Sequence, residues 1–188
     1  MVTIPEIIWT AMIDAFATVR PGMERVAYLD GVGGAGEGTV TTVVIPNADL
    51  HRTWYDVSPE AMSEAAQHMR RTGLVRLAQV HTHGGADCRH SSRDDEKAYS
   101  QKPGALSLVL PYHGTRRPQL GDACTHHKTD HGWVLVEPSE VGQYLRCIPS
   151  LIDLRRVPWS ASQTGMKATL ADVWRQWTRR LRSRSRSR

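Results

Sequence analysis

The segment His81-Thr82-His83-Gly84-Gly85-Ala86-Asp87-Cys88-Arg89-His90-Ser91-Ser92-Arg93-Asp94 brings paired imidazoles, a hydroxyl and a carboxylate into fourteen residues. Neutral imidazole nitrogens hold zinc at about 2.0–2.1 Å, and carboxylate oxygens hold it at a similar range. Two histidines and one aspartate leave a fourth position open for water, the composition of a catalytic rather than a closed structural site. The expected chemistry is therefore metal-assisted hydrolysis, with Zn2+ on His81, His83 and Asp94. Such a site also needs a general base for the water and a donor for the oxyanion. Ser91 is placed for the second role, and Glu24, which opens an apolar stretch upstream, is the candidate for the first.

These side chains must be carried by particular elements. Leu74-Val75-Arg76-Leu77-Ala78-Gln79-Val80 follows Gly73 and reads as a largely buried strand. Alternation along a strand puts His81 and His83 on one side of its end. Ser91-Ser92-Arg93-Asp94 has the S-x-x-D form of a helix start, running to about Ser100, and residues three apart share a helix face. The glycine-containing loop 84–90 allows that first turn to fold back onto the strand end. A slip of one residue, to Ser92 and Asp95, is the competing assignment.

A strand-borne Glu, then H-x-H, then S-x-x-D resembles the JAMM (MPN+, or JAB) zinc metalloprotease family, whose pattern is H-x-H-P, six residues, then S-x-x-D. Gly85 to His90 are the six, and Glu24 to Gly31 is similar to a degraded form of the family's opening strand, E-x-x-G-L-L-x-G. Gly84 stands where the family usually has Pro, and Cys88 lies where some eukaryotic members also carry Cys. The resemblance covers roughly residues 1–137. It implies zinc held by His81, His83 and Asp94, water activation by Glu24, and stabilisation of the tetrahedral intermediate by Ser91. It also implies an MPN/JAB-like, cytidine-deaminase-like architecture and cleavage after the C-terminal tail of a ubiquitin-like protein. The short chain looks most like the prokaryotic branch, deubiquitinase-like members of which accompany bacterial ubiquitin-like, E1-like and E2-like proteins, often in antiviral defence.

The rest of the chain supplies a frame. Ile4 to Thr18 reads as a helix with Ile4, Ile8, Ala11, Met12 and Ala15 as its stripe. Met23 to Val32 and Thr39 to Ile45 are expected as strands joined by a glycine-rich hairpin turn rather than a phosphate loop. Ser58 caps the next helix, Pro59 opens it, and Gly73 ends it. Ala105 to Leu110, Ala123 to His127 and Gly132 to Glu137 complete the strands. The order predicts an α/β fold, a mixed β-sheet sandwiched by helices. His126, His127 and His131 match no common zinc spacing and read as part of a hairpin, with His126 and His127 facing opposite ways.

The 188 residues suit one catalytic domain over 1–160, an amphipathic helix over 161–182 and an Arg/Ser tail over 183–188. Arg179 to Arg188 holds six arginines and no acid, so a formal charge of +5 leaves −1 for the other 178 residues. The tail is expected to be disordered and solvated, with counterion-driven contact to nucleic acid or anionic lipid as the lesser reading. Met166, Leu170, Val173, Trp174, Trp177 and Leu181 form an apolar stripe, read as docking on this domain or a second copy before a membrane surface or partner. Nothing near the start combines a basic region with a long apolar run, so neither a signal peptide nor a membrane span is expected. Three cysteines, Cys88, Cys124 and Cys147, suggest no disulfide framework and a reducing cytoplasm. Besides a ubiquitin-like conjugate or precursor, the alternatives are a peptidase on a sulfur-carrier adduct or other peptide, including cell-wall peptides, and a non-catalytic scaffold. The oligomeric state is open.

Overall fold

Segments rich in β-branched and aliphatic residues, most of them followed closely by glycine or proline, build most of the sheet. The computed structural model describes residues 1–34, 36–152 and 154. A compact unit spans Met1–Leu151, with Ile152–Arg188 as a second. The expected C-terminal helix and Arg/Ser tail lie outside the described residues.

The first unit contains β1 (Val2–Pro5), α1 (Glu6–Ala17), β2 (Val26–Gly34), β3 (Glu37–Val44), β4 (Ala48–Leu50), β5 (Tyr55–Val57) and α2 (Pro59–Thr72). These are followed by β6 (Val75–Thr82), α3 (Ser92–Lys97), β7 (Leu106–Leu110), β8 (Cys124–Thr129), β9 (Gly132–Leu135), α4 (Val141–Tyr144) and β10 (Leu145–Ile148). Eight strands form one mixed sheet in the order β10-β1-β3-β2-β6-β7-β8-β9, while β4 and β5 pair separately. The expected mixed α/β sheet with helices on its faces is what the chain forms.

Two expectations change. Val2 to Pro5 is a strand, not the start of a helix: it pairs in parallel with Leu145–Ile148 and touches β3 at Gly38 and Thr39. Pro5 then caps α1, whose buried face is Trp9, Met12, Ile13 and Phe16 rather than the stripe including Ile4 and Ala11. Ile4 is fully buried in both readings, so helical spacing counted a strand residue as a helix residue.

Alternation in β2 divides the interior. Ala27 and Leu29 join the larger core with Phe16, Met12, Leu77, Leu108 and Leu110. Val26 and Tyr28 face the other way, with Tyr55 and with Met62 of α2. Gly31 permits the close approach of β3, because a Cβ there would lie 2.1 Å from the Thr39 carbonyl oxygen. α2 has the predicted ends: the Ser58 side chain accepts from the Ala61 N–H, and Gly73 terminates the helix in the left-handed region at φ 69°.

β6 and β7 are parallel neighbours, with His81 beside Val109. Parallel strands require a crossover. Here residues 83–105 make it, and they carry His83, Ser91 and Asp94.

Candidate metal centre

The sheet brings β2 into the same place. β2 and β6 are antiparallel with Val26 opposite His81. Beyond the strand the pairing continues: the Arg25 N–H donates to Thr82 Oγ1 at 3.0 Å, and the Thr82 N–H donates to the Arg25 carbonyl at 3.1 Å. That register sets Glu24 across from His83, although Glu24 precedes the strand instead of lying in it. Arg25 fixes this approach. It is buried, and its guanidinium donates to the carbonyls of Phe16, Met23, Val19 and His113. The β4–β5 hairpin closes the other side, with the Glu24 N–H donating to the His51 carbonyl at 2.7 Å.

His81 ends β6 and is fully buried, with neither ring nitrogen in a hydrogen bond. A buried polar atom without a partner is costly and calls for explanation. His83 leaves the strand, and its Nδ1 lies 3.0 Å from the Asp87 carbonyl oxygen. Donation there places the proton on Nδ1 and leaves Nε2 as a lone-pair donor.

Asp94 arrives on α3, held by a capping box. Its N–H donates to Ser91 Oγ, while the Ser91 N–H and hydroxyl both donate to Asp94 Oδ2 at 2.7 Å. Asp94 Oδ1 lies 3.4 Å from His81 Nε2, and Oδ2 lies 3.3 Å from His83 Nε2. One ligand atom from each of the three residues falls within 4.8 Å of the other two. Ligands at about 2.0–2.1 Å from a tetrahedral ion are about 3.3–3.4 Å apart. The donor set, its spacing and the orphaned His81 nitrogens fit a divalent cation of the zinc type. Asp95 is turned elsewhere, with Oδ1 2.9 Å from His90 Nδ1, so the one-residue slip does not occur.

The charges agree with that geometry. Burial alone would raise the Asp94 carboxyl, but the His81 and His83 imidazoles that face it outweigh burial and hold the group far below the usual carboxylate range. Burial pushes His81 down, favouring the neutral imidazole that binds metals. His83 is drawn the other way: burial lowers it, but Asp94 and the Asp87 carbonyl raise it more. Glu24 is pushed up from 4.5 to about 7, first by burial, with His83 opposing and Asp94 reinforcing. A carboxylate in that range takes and returns protons near neutral pH.

Glu24, His83, Ser91 and Asp94 open onto one cleft of about 250 Å³, which Trp54 and Arg93 also line. All five candidates from the sequence lie at one locus, the fully buried His81 joining the other four at Asp94. Ser91 Oγ is engaged with Asp94. Gly84 faces His113: a Cβ on it would lie 3.0 Å from His113 Nε2.

Several contributors had no sequence signal tied to the site. Trp54 stacks on His51 at 3.5 Å between centroids, and Arg93 lies over Trp54. His90 is held by Asp95 and by Ser107 Oγ at 3.0 Å, and stacks on His126 at 3.8 Å. His126 and His127 do face opposite ways, the second toward Tyr144. The cysteine expectation needs correction. Cys88 and Cys124 form a disulfide, with Cα atoms 5.8 Å apart across 36 residues, and Cys147 is free. Its presence is at odds with the reducing compartment expected from the cysteine count. Among the described residues no helix is long and apolar enough to cross a membrane.

No family model matches the chain, and no curated protein matches it. Among solved structures, a protein of Desulfitobacterium hafniense determined in solution is similar at 20% identity, with a TM-score of 0.61 over 80% of this chain and 95% of that one. This likeness shows a shared fold. A JAB1/MPN domain protein of Archaeoglobus fulgidus is similar at 15% identity, with a TM-score of 0.45 over 78% of this chain and 98% of that one.

Proposed function

We propose that this chain is a zinc-dependent isopeptidase or peptidase of the JAMM type that cleaves after the C-terminal tail of a ubiquitin-like protein. The observation carrying this reading is the meeting of His81, His83 and Asp94 at ligand spacing beside Glu24, in an open cleft. When bound, the zinc supplies Lewis acidity toward a carbonyl oxygen and lowers the pKa of water.

The chain's own residues do the rest. Glu24 takes the proton from water and hands it to the leaving amine, and its raised pKa suits both transfers. The Ser91 hydroxyl turns from Asp94 to donate to the oxygen that gains charge. The Asp87 carbonyl holds the His83 ring in the tautomer that presents Nε2. Gly84, Gly85 and Trp54 all line the cleft, and the lack of side chains at the two glycines suits an extended tail of small residues added as a strand. Adducts of a ubiquitin-like protein on lysine, or its C-terminally extended precursor, are the substrates of this reading.

The test is hydrolysis of a ubiquitin-like protein fused through its tail to a reporter, with zinc measured in the same samples. Wild type should hold about one zinc per chain and cleave, while Glu24→Gln should keep zinc and lose about 10²–10⁴-fold in rate. Full activity in Glu24→Gln sinks the assignment of the base. A zinc-loaded wild type that cleaves no ubiquitin-like fusion sinks the substrate class.

A further inference from the structure

We propose that the Cys88–Cys124 disulfide is a redox-controlled clasp on the metal loop, holding the site in its binding geometry when oxidised and releasing it when reduced. The metal half of this inference rests on the zinc reading above; the loop half does not.

The clasp sits between the ligands. Residues 84–90 join His83 to Ser91, so every movement of this loop is passed to His83 on one side and to the Ser91–Asp94 capping box on the other. The loop starts at two exposed glycines, Gly84 and Gly85, which resist bending little. Several attachments restrain it: the Gly85 carbonyl to the Tyr112 N–H, the Asp87 carbonyl to His83 Nδ1, the His90 N–H to His126 Nε2 at 3.2 Å, the His90 ring to Asp95 and Ser107, and the disulfide to β8. Only the last is covalent. It anchors the loop one residue after Asp87, whose carbonyl orients the His83 ring.

The two sulfurs differ in surroundings. Cys88, within the loop, is buried. Cys124 is less covered and lines a separate cavity of about 410 Å³, together with Ala123, Leu135, Val136 and Val141. A reductant therefore reaches the bond from the Cys124 side. The thiolate of a dithiol attacks the Cys124 sulfur, forms a mixed disulfide and expels the Cys88 thiolate, which takes up a proton. The second thiol of the reductant then displaces the Cys124 thiolate, which is protonated in turn, and closes the reductant's own disulfide. Two electrons and two protons pass from the dithiol to the protein. The freed loop carries the Asp87 carbonyl away from His83, and the imidazole loses its orientation toward the metal. Loss of such an outer partner lowers metal affinity by about 10–100-fold.

Arg89 gives a readout that needs neither zinc nor substrate. It lies in the loop, its side chain is 74% exposed, and trypsin cuts after it. Peptide mapping without reductant should first find Cys88 linked to Cys124. The full chain is then treated with a trialkylphosphine, which reduces the bond using the oxygen of one water and avoids zinc-binding dithiols. Tryptic cleavage after Arg89, followed by mass, should rise about tenfold or more. Zinc affinity, measured against a chromogenic chelator, should fall about 10–100-fold. Reoxidation should restore both, the Cys88→Ser/Cys124→Ser double variant should resemble the reduced protein, and Cys147→Ser should resemble the oxidised one. The proposal is overturned if Cys88 and Cys124 alkylate as free thiols after oxidation, or if reduction changes neither cleavage nor zinc affinity. If Arg89 protection responds but neither form binds zinc, the clasp stands and the metal reading fails.

Discussion

β2 and β6 bury two polar clusters, one toward each end of their pairing, and the clusters are built on opposite principles. At one end Arg76 donates to both oxygens of Asp30, at 2.9 and 3.3 Å, and lies 3.7 Å from the centroid of the Tyr28 ring. The pair is almost wholly buried and internally neutral, so its geometry is complete. At the other end His81 is equally buried but keeps two nitrogens without partners, and an anionic Asp94 faces it. The first cluster is closed on itself; the second leaves His81, His83 and Asp94 donor atoms at the spacing of a cation site. A buried polar cluster that satisfies itself is architecture, and one that does not is a place for a ligand.

Removing the shared carboxylate breaks that contrast most completely. Asp94→Ala should take bound zinc from about one per chain to almost none and reduce turnover to background, as measured by metal analysis of protein purified without chelator. Equal zinc in variant and wild type would move the third ligand elsewhere. The matching change at the other end, Asp30→Asn, should leave zinc content alone. It strands the buried Arg76 charge and should cost about 3–5 kcal/mol of stability in urea unfolding. A loss of zinc in Asp30→Asn with stability intact would reverse the roles given to the two clusters.

Glu24 sharpens the comparison through pH. In metal-free protein its carboxyl is lifted from 4.5 to about 7, mainly by burial. Between those values the folded chain holds a proton that the unfolded chain has released. The stabilisation from this group is complete below the lower value and is lost as pH rises through the upper one. Glu24→Gln, neutral throughout, escapes that loss. It should match wild type near about pH 4 and exceed it by about 1–3 kcal/mol near about pH 8. Urea midpoints at both pH values, with a chelator present, measure the gap; a gap independent of pH would mean that the carboxyl is solvated.

His81, His83, Ser91 and Asp94 were legible in the sequence because the end of β6 and the crossover directly after it carry them, and local spacing fixes which side chains share a face. Glu24 was legible only in part, because its place depends on the β2–β6 register extended past Val26 and His81. Where contacts join distant segments, spacing was silent or misleading. Val2 to Pro5 pairs with residues more than 140 positions away, and nothing local separates that strand from the helix it introduces. Cys88 meets Cys124 only because β8 lies beside β7, under the metal loop. Trp54 reaches the cleft on a short hairpin whose aromatic cluster carried no periodicity.

The smallest effect is expected at Asp87, and it separates backbone from side chain within the site itself. Asp87 lines the cleft and its carboxylate pairs with the exposed Arg89 at 2.7 Å, which makes it a tempting fourth ligand. Arg89 holds that carboxyl far below its ordinary value, first through hydrogen bonds and then through its charge. What reaches the metal centre is the main-chain carbonyl, through His83 Nδ1. Asp87→Ala keeps that carbonyl and discards an exposed ion pair, which solvent screens and which carries little net stabilisation. Zinc affinity and turnover should stay within about twofold of wild type. A tenfold loss of zinc in Asp87→Ala would make the side chain a ligand. The cluster would then close itself with four protein groups, as a structural site does, and the contrast with Arg76 and Asp30 would no longer mark a place for chemistry.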